Sequence, residues 1–125
     1  MVKTLAHGQG LIREVTLLPR GHIRIETALK YPDGTSVEVF VRKPHHSGEV
    51  HLTDLGQTLA RFLDVQQAAS DDVLTPAGVE REGGELTLRL AETDQLIGGT
   101  RRLAQACIRL AALSHERKRT EPASG

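Results

Sequence analysis

The chain has 125 residues, of which 38% are hydrophobic and 26% are charged, and its formal net charge at pH 7 is zero. These values are those of one ordinary soluble globular domain. No apolar run approaches the ~18 residues that a membrane-spanning helix needs. The single cysteine, Cys107, excludes an internal disulfide, so we expect a protein of the reducing cytoplasm.

The charges are unevenly distributed. Residues 1–100 carry ten Lys or Arg and fourteen Asp or Glu, whereas residues 101–125 carry six and two. A basic end of this kind occurs in proteins that bind nucleic acid. It is equally typical of cations placed late in a helix, where they interact favourably with the helix dipole.

The first part of the chain has the alternation of β-strands. Residues 11–18 predict one strand, and residues 22–31 predict a second with apolar side chains at every other position. The YPDG segment at residues 31–34 predicts a tight turn. Residues 36–43 then predict an antiparallel return strand, and residues 49–54 predict a further short strand.

Helices and a second hairpin follow. Residues at helical spacing after the short strand form one apolar stripe: Leu55, Leu59, Phe62 and Leu63. Residues 70–78 predict a capped helical turn that is broken at Pro76 and closed at Gly78. Residues 79–90 predict a hairpin that turns at Gly83–Gly84.

A long final helix begins at Thr93 or Asp94 as its cap. Its predicted buried side consists of Leu96, Thr100, Leu103, Cys107, Leu110, Ala111 and Ser114, and its opposite side of Arg101, Arg102, Gln105, Arg109 and Glu116. The order β-β-β-β-α-β-β-α predicts an α+β fold, with two main helices packed on an antiparallel sheet of two hairpins plus a short strand. We expect one domain over residues 1–115 and a frayed polar tail over residues 116–125.

Asp54 lies where the short strand meets the next helix. A helix begins with four N–H groups that lack partners, and an Asp cap accepts a hydrogen bond from one of them. Gln57 is placed to complete a capping box, and Thr53 is the alternative cap. We therefore predict a structural role for Asp54. Gly56 is explained by close packing on the sheet or by a ligand approaching the backbone.

Two segments in order, YPDGTSVEVFV and HLTDLGQTLARFL, resemble the DUF1828 family, a small domain of uncharacterised function common in prophages and other mobile elements of bacteria. The segments GVEREGGELTLRLAETDQL and RRLAQACIRLAAL resemble its second half, so the similarity spans residues 20–113. Asp33 and Asp54 are the polar positions that match the family's motifs. The resemblance implies no catalytic residues. It implies a mobile-element setting, in which small globular proteins bind and block host factors.

A possible metal site lies in HHSGEVHLTD, whose donors are His45, His46, His51 and Asp54. Imidazole and carboxylate suit zinc or another divalent ion. However, the side chains of adjacent histidines diverge, and His51 falls on the outward face of its strand. We therefore expect a solvated loop with no metal or cofactor, and a metal-dependent hydrolase or nuclease is an alternative.

Four residues are candidate contacts for a partner. Arg101, Arg102 and Arg109 form an exposed patch on the last helix, suited to phosphate or to an acidic protein surface. Phe40 points away from its apolar neighbours in the strand, so it is either exposed or covered by another element. A nucleophilic Ser/His/Asp or Cys/His arrangement is not visible, and an enzyme is not expected.

These observations predict a small non-enzymatic binding module of phage or mobile-element origin that binds a host protein and inhibits a defence system. The alternatives are a nucleic-acid-binding protein that uses the basic C-terminal helix and the metal-dependent enzyme above. No membrane partner is expected. The exposed edges of the predicted sheet leave a homodimer open.

Overall fold

The computed structural model describes residues 10–42, 49–61, 67–92 and 95–120, without the side chains of residues 61, 67–69 and 114–120. The strands are β1 (Ile12–Leu17), β2 (Ile23–Lys30), β3 (Ser36–Arg42), β4 (Val50–Thr53), β5 (Glu80–Glu82) and β6 (Glu85–Leu90). The helices are α1 (Gln57–Arg61), α2 (Gln67–Ala77) and α3 (Leu96–Thr120), and a 3-10 turn at Pro19–Gly21 joins β1 to β2.

The six strands form one antiparallel sheet in the order β1-β2-β3-β4-β6-β5. The predicted α+β class, with a sheet and packed helices, is therefore confirmed. None of the helices in the described ranges has both the length and the apolar character needed to cross a membrane.

The core lies between one face of the sheet and α3, which packs on β2, β3, β4 and β6. Cross-strand pairs carry apolar side chains through the middle of this face, since Val41 lies opposite Leu52 and Leu52 opposite Leu88. The apolar strand positions predicted to point inward are buried or half-buried, and α3 buries Thr100, Leu103, Cys107, Leu110 and Ala111. Arg101, Arg102, Gln105 and Arg109 are exposed as predicted. Ser114 and Glu116 lie outside the described side chains.

The other face of the sheet is polar and laced with ion pairs. Arg24 contacts both Glu26 and Glu38, and Arg42 lies 3.7 Å from Glu85. Such partly exposed pairs contribute little stability individually. Among the described residues, the main apolar core lies on the opposite face, against the helices.

The helix after β4 begins later than the apolar spacing predicts. Its first residue is Gln57, and Leu55 precedes it in a left-handed turn with φ of 54°. Leu55 is consequently 42% exposed, so its predicted place on the buried stripe is wrong, whereas Leu59 is buried. The remaining stripe residues, 62 and 63, lie outside the described residues.

The segment predicted as a turn broken at Pro76 is a complete helix, α2, which continues through Pro76 to Ala77. Pro76 lies in the last turn, where its missing N–H removes one bond to the preceding turn, and the helix ends one residue later. Gly78, with φ of 75°, ends the helix. Its amide donates to the Thr75 carbonyl and that of Val79 donates to the Leu74 carbonyl, both at 3.0 Å. This pair of bonds is a Schellman motif.

The final helix also extends beyond the predicted end of the domain at residue 115, because its backbone remains helical to Thr120. Its predicted caps, Thr93 and Asp94, lie outside the described residues.

Two adjacent glycines of α3 give a matched test of the core packing. A Cβ at Gly98 meets nothing within 4 Å, whereas one at Gly99 lies 2.8 Å from the Leu90 methyl groups and 3.1 Å from Leu52. Gly98→Ala should raise the free energy of unfolding by about 0.5–1 kcal/mol. The free energy of unfolding of Gly99→Ala should be about 1–3 kcal/mol lower than that of Gly98→Ala, because the added methyl group overpacks the core. Urea unfolding measures both, and equal stabilities would contradict this packing.

Candidate functional site

Asp54 is fully buried and its carboxylate accepts three backbone hydrogen bonds. Oδ1 accepts from the amides of Gly56 at 2.8 Å and Leu86 at 3.0 Å, and Oδ2 accepts from that of Thr58 at 3.0 Å. The predicted role at the start of the helix is thus seen in the structure. The contact with Leu86 was not predicted from the sequence.

The bond to Leu86 extends the sheet beyond the end of β4. The Asp54 amide donates to the Leu86 carbonyl at 3.2 Å, and the Leu86 amide donates back to the Asp54 side chain. The carboxylate therefore takes the place that a backbone carbonyl would occupy in the antiparallel ladder. One side chain joins the end of β4 to both β6 and α1.

Close packing explains Gly56. Its φ is 79°, and a Cβ there would lie 3.3 Å from the Gly84 carbonyl oxygen in the β5–β6 turn. The left-handed Leu55–Gly56 pair returns the chain over Asp54, so that its carboxylate reaches the amides on both sides. The packing explanation, given above with a ligand as its alternative, is sufficient for this glycine.

The capping box predicted for Gln57 does not form, since its side-chain amide donates to Glu38 at 3.2 Å. Gln57 is drawn to the strand beside it because β4 ends early and α1 lies next to the first half of β3. Thr53, the alternative cap, does not bond the helix: its hydroxyl accepts from the Leu55 amide at 3.0 Å, in the turn before α1, and donates to Glu85 at 2.6 Å.

Beside Asp54 lies a buried polar cluster of Tyr31, Thr58 and Cys107. The hydroxyl groups of Tyr31 and Thr58 are hydrogen-bonded at 2.8 Å. Burial raises the pKa of the Cys107 thiol to about 12, and the charge of Asp54 adds to this rise, while hydrogen bonds to Thr58 and Tyr31 oppose it. Only the thiolate is a strong nucleophile. Cys107 therefore belongs to the core, as its place on the apolar face predicted.

The candidate metal donors are not brought together. His51 points to the polar face of the sheet and pairs with Glu49 at 3.1 Å, whereas Asp54 is buried on the helical side. Within the described ranges no three His, Cys, Asp or Glu side chains are grouped to hold a metal ion. His45 and His46 lie outside these ranges.

The three candidate arginines have different surroundings. Arg102 donates from Nε and Nη2 to the Ala77 carbonyl at 3.2 and 3.0 Å, and so covers the negative end of α2. Arg109, seven residues further along α3, lies on the same side of the helix. Arg101 is exposed about a quarter-turn away. Arg102 and Arg109 therefore act on one surface, and Arg101 faces another.

That surface is a groove of about 190 Å³ between α2 and α3, here called the α2–α3 groove. Its lining residues are Val73, Pro76, Ala77, Arg102, Gln105, Ala106 and Arg109. Apolar side chains from both helices are combined with two guanidinium groups and one amide. The groove therefore suits a ligand that presents an anionic group next to an apolar one.

Phe40 is only 8% exposed. It lies on the polar face of the sheet between Arg24 and Thr53 of the neighbouring strands. It thus offers little area to a partner. Of the two predicted alternatives, an exposed or a covered side chain, the structure shows the covered one.

The sequence reasoning missed the contribution of α2 to the groove and the capping role of Arg102. A signal for the groove was present, because Arg102 and Arg109 are two helical turns apart. The Pro76–Gly78 segment was read as the end of a short turn, so α2 was not expected to be long enough to form a wall.

No family model, no curated protein and no solved structure matches this chain. The similarity to the DUF1828 family therefore stays a prediction from the sequence motifs.

Asp54→Ala should lower the free energy of unfolding by about 3 kcal/mol or more. Each of three amides loses its acceptor, and an unsatisfied buried donor costs about 1–3 kcal/mol. The exposed Asp72 of α2 supplies the control, since Asp72→Ala should change stability by less than about 0.5 kcal/mol. Urea unfolding compares the two, and similar small losses would show that the Asp54 bonds are unimportant.

Cys107 should make the protein less stable in alkali. An unfolded thiol ionises near pH 8.5, whereas the folded chain retains its proton up to a pKa of about 12. Because the pKa is higher in the folded chain, the stability that the protonated thiol contributes is complete below about pH 8.5 and is lost as the pH rises towards 12. Urea unfolding between those values should show a steeper decline for the native sequence than for Cys107→Ala. The prediction would be wrong if the free energy of unfolding declined with pH equally in the native sequence and in Cys107→Ala.

Proposed function

We propose that this protein is a non-enzymatic binding module that holds an acidic segment of a partner protein in the α2–α3 groove. The observation that carries the proposal is the convergence of Arg102 and Arg109 on apolar side chains from two helices. Interfaces commonly combine an apolar centre with arginine, which binds carboxylates through two parallel hydrogen bonds.

The charges of the groove support an anionic ligand. Arg102 already donates to the Ala77 carbonyl through Nε and Nη2, which fixes its guanidinium group in one orientation. Arg109 has no ion-pair partner among the described residues, and it is exposed. This arrangement favours a carboxylate, because Arg102 has little side-chain freedom left to lose on binding and Arg109 supplies a second positive charge.

The chemistry of the lining supports binding more than catalysis. The described lining residues bear guanidinium, amide and apolar groups, without a carboxylate, imidazole, thiol or hydroxyl group to transfer a proton at neutral pH. The buried Asp54 and Cys107 belong to a different part of the core and support it structurally.

The resemblance of the sequence motifs to the DUF1828 family supports a phage or mobile-element setting. In that setting the partner is a host protein, and inhibition of a defence system is the expected consequence of occupying it.

Charge reversal tests the groove directly. Arg109→Glu should abolish capture of a stoichiometric partner from nuclease-treated host lysate at low salt. Arg81→Glu is the matched control, because it makes the same charge change at an exposed position on β5. We expect the control to capture the partner as the native protein does. Identical captured proteins for both variants would remove the groove from the interaction.

Nucleic-acid binding is the competing outcome of the same experiment. Capture would then succeed from untreated lysate and fail from nuclease-treated lysate, and affinity for single- or double-stranded DNA would fall steeply with salt. Tyr31 and Phe40 are buried, so the described surface lacks them as stacking platforms for single strands.

A further inference from the structure

The two edges of the sheet differ in the way they are protected. β5 has three residues, all exposed, with the sequence Glu-Arg-Glu. Short charged strands of this kind resist pairing with another chain. β1 has six residues, and on its helix-facing side Val15 is half-buried and Leu17 is 76% exposed. β1 is therefore the edge that is open to another strand.

The hydrogen bonds of β1 show which of its backbone groups lack a partner in the described part of the chain. The Leu18 amide donates to the His22 carbonyl of the next strand at 2.8 Å. Bonded and non-bonded residues alternate along an antiparallel ladder. Thr16 therefore bonds inward to β2, whereas the amides and carbonyls of Val15 and Leu17 point away from the sheet.

We propose that two copies of this chain associate through β1, with Val15 of one copy opposite Leu17 of the other and the two-fold axis at Thr16. This register gives two hydrogen-bonded pairs, because the outward-facing groups of both strands meet. It also keeps each side chain on its own face, since opposite residues in an antiparallel pair point the same way. The proposal does not depend on the α2–α3 groove.

Side-chain chemistry favours the same register. On the helical side Leu17 of each copy covers Val15 of the other, and its exposed apolar surface is removed from water. On the polar side the two Thr16 residues meet, a favourable cross-strand pair. Glu14 of one copy falls beside the Pro19–Gly21 turn of the other, which carries the exposed Arg20, so opposite charges adjoin.

The irregularity at the start of β1 limits the contact. The register with β2 shifts between Ile12 and Glu14, which marks a β-bulge. Bulges disrupt the regular ladder, so the pairing uses the strand after this point. An interface of this extent forms a weak, reversible complex.

Sedimentation equilibrium over about 10 µM to about 1 mM should show a mass that rises from one 13.6 kDa chain towards two. Amide exchange should locate the contact. The amides of Val15 and Leu17 should become protected as concentration rises, whereas that of Thr16 should be protected throughout.

Leu17→Pro should keep the protein monomeric over the same range, because it removes an outward donor that the fold does not use. Leu17→Lys should do so through charge while retaining the amide. Leu55→Asn is the matched control, because Leu55 is the other large exposed apolar side chain among the described residues, and this variant should associate as the native chain does. A constant mass of one chain, unchanged association of Leu17→Pro, or protection centred on β5 would overturn the proposal.

Discussion

The fold depends on the carboxylate of Asp54, which accepts hydrogen bonds from three backbone amides at the end of β4. β4 ends at Thr53, β6 runs past this point, and α1 begins at Gln57. The amides of Gly56, Thr58 and Leu86 need hydrogen-bond acceptors here, because this region is largely shielded from water. Because one buried side chain provides all three, the sheet, the β5–β6 turn and α1 are held in a single arrangement.

The arginines of α3 show that two similar side chains on one helix face can have different duties. Arg102 is tied to the end of α2, where its charge offsets the helix dipole, and a Cβ at Gly78 would lie 2.8 Å from its Nη2, so this side chain would have to shift. Arg109 has no ion-pair partner among the described residues and borders the same groove. Arg102 thus links α3 to the end of α2, and Arg109 lines the groove between these two helices.

Patterns with a local cause were predicted well from the sequence. Alternation identified the strands of the first hairpin and the glycine pair identified the Gly83–Gly84 turn, because each depends on residues that are close in sequence. The start of α1 was misplaced because Leu55 fits a helical stripe, while the Asp54 bonds impose a left-handed turn. α2 was underestimated because Pro76 was given its usual meaning, although it lies in the final turn. The groove and the Leu86 contact join residues distant in the chain, so periodicity carries no information about them.

The unequal edges of the sheet also set an upper limit on assembly. In the proposed dimer β1 pairs with its own copy about a two-fold axis, so the outward-facing groups of Val15 and Leu17 are no longer available to a third chain. Continued growth would require the opposite edge, and the three charged residues of β5 make that edge a poor template. Association along this sheet would therefore end at two copies, because within the described residues such a dimer presents only β5 edges.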